Sequence, residues 1–148
     1  MLSQTTEYAL RAVVYLANHP ASPRSIEQIA ESTHVPGSYL SKVMQGLRKQ
    51  GLVQSQRGSG GGFLLAISAE DLTVFDVVQA VDPIKRIDHC PLGIQDHLNL
   101  CPLHRRLDHA IGLLEQALKE STIAELLTEP EKSKGIPIPL CPWPESEA

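Results

Sequence analysis

The chain has 148 residues, 42% of them hydrophobic, and a net charge of −4; its length suits one ordinary domain, or a small domain with an extension, and is enough to bury a core. No run approaches the roughly 20 apolar residues of a membrane helix, and no signal peptide is read at its start. Three cysteines without a secretory signal argue for reduced thiols rather than a disulfide framework, so a cytoplasmic location without membrane contact is expected.

In chain order, the first predicted helix spans roughly Ser3 to Ala17, with Leu10, Val13, Val14, Leu16 and Ala17 at helical spacing and Glu7 and Arg11 on a more polar face. A loop from His19 to Pro23 follows. Ser25 can cap a short helix that places Ile26, Ile29 and Ala30 on one side. Val35-Pro36-Gly37 should break it, because proline lacks an amide donor and glycine accepts backbone angles closed to other residues. A second helix is predicted from about Ser38 to Gln50, with Leu40, Met44 and Leu47 inward and Lys42, Gln45, Arg48 and Lys49 outward. Leu52-Val53 and Phe63-Leu64-Leu65 then flank Arg57-Gly58-Ser59-Gly60-Gly61-Gly62, which reads as two strands and a flexible tip.

Two short helices followed by a basic hairpin match a recognition helix and its wing, the arrangement of many DNA-binding folds. The duller alternative is a small helical hairpin with an ordinary turn. Candidate DNA contacts are Ser38, Tyr39, Ser41, Lys42, Gln45, Arg48 and Lys49 on the second helix, with Arg57 at the wing base and Ser59 beyond it. The acidic total does not oppose this. Residues 1–65 hold six Lys/Arg against three acids, a balance of +3, whereas residues 66–148 hold seven against fourteen, a balance of −7. Attraction to phosphate depends on local charge, so the basic half can bind while the acidic half stays clear. The glycine run is not a phosphate loop, since it joins two strands and lacks the following Lys-Ser/Thr and helix. With no nucleophile–base pair or carboxylate dyad either, the chain does not read as an enzyme.

Beyond the wing, Thr73 and Asp76 form a capping-box-like pair at the start of a helix reaching about Val81. Its residues Val74, Phe75, Val77, Val78, Ala80 and Val81 are apolar on most sides, so a buried strut is expected. Residues 82–100 show no clean period. A long helix from Pro102 to about Glu120 carries Leu103, Leu107, Ala110, Ile111, Leu113, Leu114 and Leu118, a stripe wide enough for a partner helix. A homodimer is therefore expected, the more so because two-fold dimers read symmetric DNA sites. Ser121-Thr122 can cap a last short helix, Ile123–Leu127. From Glu129 on, charge and five prolines argue for an extended or disordered tail. The expected division is a winged helix-turn-helix region over 1–81, a cofactor loop and dimerisation helix over 82–128, and a tail over 129–148: a mainly α fold with one small β-hairpin.

Cys90, Cys101 and His104 form the pattern Cys-x10-Cys-x2-His. Cys101 falls where the long helix begins, with Pro102 at the favoured first position, and the positive end of the helix dipole stabilises a thiolate. Three residues make nearly one turn, so the His104 ring can face the same point as the Cys101 sulfur. Thiolate with imidazole suits an iron–sulfur cluster, zinc or copper rather than calcium or magnesium. Singly, a buried cysteine is more often a small core residue and a histidine a solvated side chain. Cys141 lies in the predicted tail and reads as a bystander.

The segments MLSQTTEYALRAVVYLA, IAESTHVPGSYLSKVMQGLRKQGLVQSQRGSGGGFLLA, ISAEDLTVFDVVQAVD and STIAELL together resemble the Rrf-two (Rrf2) family of winged-helix transcriptional regulators, over about residues 1–128. The resemblance implies a homodimer bound to a double-stranded operator, with a winged helix-turn-helix and a long dimerisation helix in each subunit. It also implies, for many members, an iron–sulfur cluster in the loop before that helix. The chain departs from the family's commonest pattern of three cysteines about six apart, for Gln95-Asp96-His97 stands at the middle position. Glu7 occupies the place from which some relatives supply an acidic ligand to the opposite subunit. A 2Fe–2S cluster on Cys90, Cys101, His104 and Glu7 follows from the resemblance, and such mixed ligation raises the potential relative to all-cysteine ligation. That suits a redox or reactive-gas sensor. The alternatives are a cofactor-free regulator answering to a protein partner, or structural zinc at Cys90, Cys101 and His104.

Overall fold

The computed structural model describes residues 2–90 and 100–128. Helix α1 (Gln4–Ala17) begins where Ser3 Oγ accepts from the Thr6 amide at 3.3 Å. Its inward side is built from Ala9, Ala12, Val13 and Leu16, all fully buried, while Leu10 packs only at the core margin. The two alanines let neighbouring backbones approach, which is how one helix touches α2, α3, α4 and α6 together.

Helix α2 (Ile26–Thr33) opens on a capping box, with Gln28 N–H donating to Ser25 Oγ and Ser25 N–H to Gln28 Oε1. It ends at His34, whose φ of 53° makes it a left-handed cap. This amends the expected break. The left-handed residue of the turn is His34, and Gly37 is already the first residue of α3 (Gly37–Lys49). Histidine is among the few non-glycine residues that enter this region with some frequency. Pro36 precedes α3 without a side-chain cap, its carbonyl accepting from the Tyr39 and Leu40 amides at 3.0 Å. Leu40, Val43, Met44 and Leu47 bury one side of α3.

Strands β1 (Val53–Gln56) and β2 (Gly62–Leu65) pair antiparallel, from Val53 opposite Leu65 to Gln56 opposite Gly62. The first strand thus starts a residue later than expected and runs on through polar residues, because backbone pairing rather than hydropathy extends it. Arg24 braces the hairpin from the far side: its amide donates to the Phe63 carbonyl at 3.0 Å, and the Phe63 amide to its carbonyl at 2.8 Å. Gly62 is required there. Its φ is 155°, and a Cβ at this position would lie 2.5 Å from the Arg24 carbonyl group.

Helix α4 (Val74–Val81) carries the expected capping box between Thr73 and Asp76. The expected strut is only partly buried, however. Val74, Val77 and Val78 are in the core, while Phe75, Ala80 and Val81 are half-covered. Phe75 instead lies under the Lys119 ammonium, 4.4 Å from its ring centre. Helix α5 (Pro102–Glu120) buries no residue of its own. Helix α6 (Ile123–Thr128) returns to the core through the fully buried Ile123, whose amide donates to Leu72 O at 2.8 Å. The core is therefore one cluster, drawn from both ends of the described chain.

Candidate nucleic-acid interface and cysteine pair

Because Leu40, Val43, Met44 and Leu47 turn one side of α3 inward, Ser38, Tyr39, Ser41, Lys42, Gln45, Arg48 and Lys49 are left exposed on the others. Arg57 and Ser59 are likewise exposed. Arg57 follows Gln56 directly, so it stands at the entry to the wing tip rather than at the wing base. The structure thus gathers the exposed cations Lys42, Arg48, Lys49 and Arg57 on one helix and its adjoining hairpin.

Two details limit what individual side chains can do. The Ser41 hydroxyl donates to the Gly37 carbonyl at 2.9 Å, so in this rotamer it has only acceptor capacity left for a ligand. Tyr39 is 55% exposed and meets Tyr8 edge-on with ring centres 6.1 Å apart, which fixes its ring beside the start of α3. Sequence reasoning overlooked the bracing by Arg24; Gly62, the last glycine of the run, was the available signal, since a Cβ there would meet the Arg24 backbone.

At the start of α5, Cys101 is the N-cap residue in extended conformation and Pro102 the first helical residue. The half-buried Cys101 Sγ and His104 Nδ1 share a hydrogen bond of 3.3 Å. These two groups are brought together. Cys90 is half-buried and a free cysteine, and Glu7 is exposed in the first turn of α1. Among the described residues no three His, Cys, Asp or Glu side chains converge as a metal site. Gln95, Asp96, His97, Cys141 and the predicted tail lie outside the described residues.

An ion-pair cluster absent from the sequence reading joins the segment after α4 to α5. Arg86 donates from Nε and Nη2 to the two Asp108 carboxylate oxygens at 2.7 and 2.5 Å, and its Nη1 lies 3.5 Å from Glu115. The Ile87 amide also donates to Asp108, at 2.9 Å. Held by the Arg86 guanidinium first and the Ile87 amide second, the Asp108 carboxyl titrates at about 2, and the same contacts raise the Arg86 pKa. The outer side of α5 meanwhile exposes Leu103, Leu113, Leu107 and Leu114, at 62, 56, 46 and 44%.

A tri-helical core with a recognition helix and a two-stranded wing defines a winged helix-turn-helix DNA-binding protein. The model of the Rrf2 family, described as an iron-dependent transcriptional regulator, matches residues 2–129. The chain belongs to the Rrf2 family of transcriptional regulators, and it is accordingly a DNA-binding regulator rather than an enzyme. It is 34% identical over 131 residues to a protein of Haemophilus influenzae named as a helix-turn-helix-type transcriptional regulator, covering 86% of this chain and 87% of that one. A similarly named protein of Aquifex aeolicus is 30% identical over 136 residues, covering 89% and 94%. Among solved structures, T. potens IscR aligns with a TM-score of 0.72 at 27% identity, over 86% of this chain and 85% of that one. The global cysteine regulator CymR of B. subtilis shares the fold, with a TM-score of 0.72 at 24% identity over 85% and 95%. No helix among the described residues is long and apolar enough to cross a membrane.

Proposed function

We propose that the chain is a cytoplasmic, homodimeric regulator whose operator affinity is set by a 2Fe–2S cluster. In this reading residues 1–81 carry the DNA contacts, 82–128 hold the cluster ligands and the dimer helix, and 129–148 form a tail. The observation that carries the cofactor is the Cys101 Sγ–His104 Nδ1 approach of 3.3 Å at the head of α5, in a family described as iron-dependent. Cys101 and His104 suit a thiophilic iron centre by donor type. Cys90 is the second thiolate, and Glu7 of the opposite subunit completes four ligands. When bound, the cluster supplies a one-electron redox centre. The protein's part is to fix the thiolates: the N-cap position of Cys101 places its sulfur at the positive end of α5.

Dimerisation through α5 is supported by its four exposed leucines, a patch that a lone soluble chain seldom presents. Movement of the segment between α4 and α5 then alters the spacing of two recognition helices, to which half-sites about one helical turn apart are sensitive.

A second reading, regulation by a protein partner without any cofactor, rests on the departure from the family's three-cysteine pattern, with Gln95-Asp96-His97 at the middle position. Anaerobic purification with a visible spectrum and iron and sulfide assays separates the two. The expected result is a chromophore that Cys90→Ala or Cys101→Ala abolishes, that His104→Ala or Glu7→Ala weakens or shifts, and that Cys141→Ala leaves intact. A colourless protein without iron supports the partner reading, and zinc in place of iron supports a structural site. Bleaching by Cys141→Ala as complete as by Cys101→Ala would overturn the proposed ligand set.

A further inference from the structure

We propose that Arg86 is a positioning residue for the cysteine pair: its clasp on Asp108 and Glu115 sets the register of Cys90 against Cys101 and His104. This rests on the reading of Cys90 and Cys101 as members of one ligand set and adds the device that aligns them. The segment leading to Cys90 is fastened on two sides. Gln79 Nε2 donates to Ile84 O at 3.3 Å, tying it to α4. Arg86 and the Ile87 amide bind Asp108, tying it to the second turn of α5. The guanidinium spreads over Gly112, where a Cβ would lie 3.2 Å from Arg86 Nη1, and reaches Glu115. Aspartate, glycine and glutamate at positions 108, 112 and 115 occupy successive turns of one face, so together they form a seat for the planar guanidinium.

Chain lengths are compatible with this role. Asp108 is seven residues past Cys101, which corresponds to about 10 Å of helix rise. Cys90 is three residues past Ile87, a reach of at most about 10 Å for extended chain. If it runs back along α5, a segment pinned at Asp108 has the reach to bring Cys90 level with the head of the helix. A slip of one helical turn away from Cys101, about 5.4 Å, leaves it short.

The test uses the full chain carrying Cys141→Ser, stripped of metal and treated with diamide, which takes up two hydrogens as two thiols join. Closure of the Cys90–Cys101 disulfide is followed by peptide mapping, with non-reducing gels separating links between subunits. The chain with intact Arg86 is expected to close roughly tenfold faster than Arg86→Gln or Asp108→Asn, because the clasp raises the effective concentration of one thiol at the other. The double variant should be no slower than either single one, since both remove the same contact. Arg86→Lys is the second variant if those chains fold poorly. Lysine keeps the positive charge near Asp108 and Glu115 but not the planar fork that engages Asp108 through two nitrogens, so closure should slow in a chain that keeps its fold. Equal closure rates in the parent and the folded variants, or a parent that forms no such disulfide, overturn the proposal. Fast, Arg86-dependent closure in a protein that takes up no iron and sulfide upholds the clasp and removes the cluster reading.

Discussion

Replacing Gly62 by alanine should uncouple the wing from the helical core. The new methyl would sit 2.5 Å from both the carbonyl carbon and oxygen of Arg24, well inside contact distance, and both obstacles are backbone. To relieve it the hairpin must withdraw from Arg24, losing the Arg24–Phe63 pair of hydrogen bonds at 3.0 and 2.8 Å. Each bond contributes about 1 kcal/mol net, and holding alanine at a φ of 155° adds strain of about 1–3 kcal/mol. The expected loss is therefore about 3–5 kcal/mol from these two terms. With an m-value of about 2 kcal/mol/M, the urea midpoint should fall by about 1.5–2.5 M. Gly60→Ala provides the internal control. Gly60 has a φ of 77° but no atom within 4 Å of an added Cβ, so only the left-handed strain of about 1–2 kcal/mol applies. Urea titration of both variants measures the difference, and electrophoretic mobility shift with operator DNA should show the larger loss for Gly62→Ala. A midpoint for Gly62→Ala no lower than that for Gly60→Ala would refute the role of the Arg24 brace.

Three further outcomes are expected. Leu114→Asp places a charge in the exposed leucine stripe of α5, where dimerisation would bury it unpaired; sedimentation should report monomers and operator binding should weaken sharply, whereas an intact micromolar dimer moves the interface elsewhere. Arg57→Ala, at the entry to the wing tip, should weaken binding by about 1–3 kcal/mol if the side chain enters a groove and lower the salt slope by about 1; unchanged anisotropy titrations at several salt concentrations remove the wing from the contact surface. Acid should loosen the Arg86 clasp, because the Asp108 carboxyl is depressed from 3.8 to about 2. A depressed carboxyl contributes stability fully above the unfolded value and loses it as pH falls through the folded one. Stability of the parent chain should thus fall more steeply between pH 4 and 2 than that of Asp108→Asn, and parallel curves by denaturant titration would contradict this.

The sequence by itself specified what depends on near neighbours. The capping pairs Ser25–Gln28 and Thr73–Asp76 are contacts of spacing three, and α1, α3 and α5 follow from apolar residues repeating every three or four positions. The exposure of the α3 cations follows from the same repeat, as does the approach of His104 to Cys101 within one turn. The family too was legible, because its motif around the glycine run is local. Tertiary structure decided the remainder. Val43, placed neither inward nor outward by the predicted stripe, is buried because α1 and α4 both pack on α3. Phe75, expected in the core, is only half-covered and lies under Lys119, a residue far along the chain. The left-handed turn settled on His34 although a proline and a glycine stood two and three residues further on. Arg24 with Phe63, and Arg86 with Asp108, are pairs whose members carry no mutual signal in a linear pattern. Periodicity states which side of an element must leave water, but not which element covers it; that choice belongs to the packing of the whole chain, and with it the brace of the wing and the clasp beside Cys90.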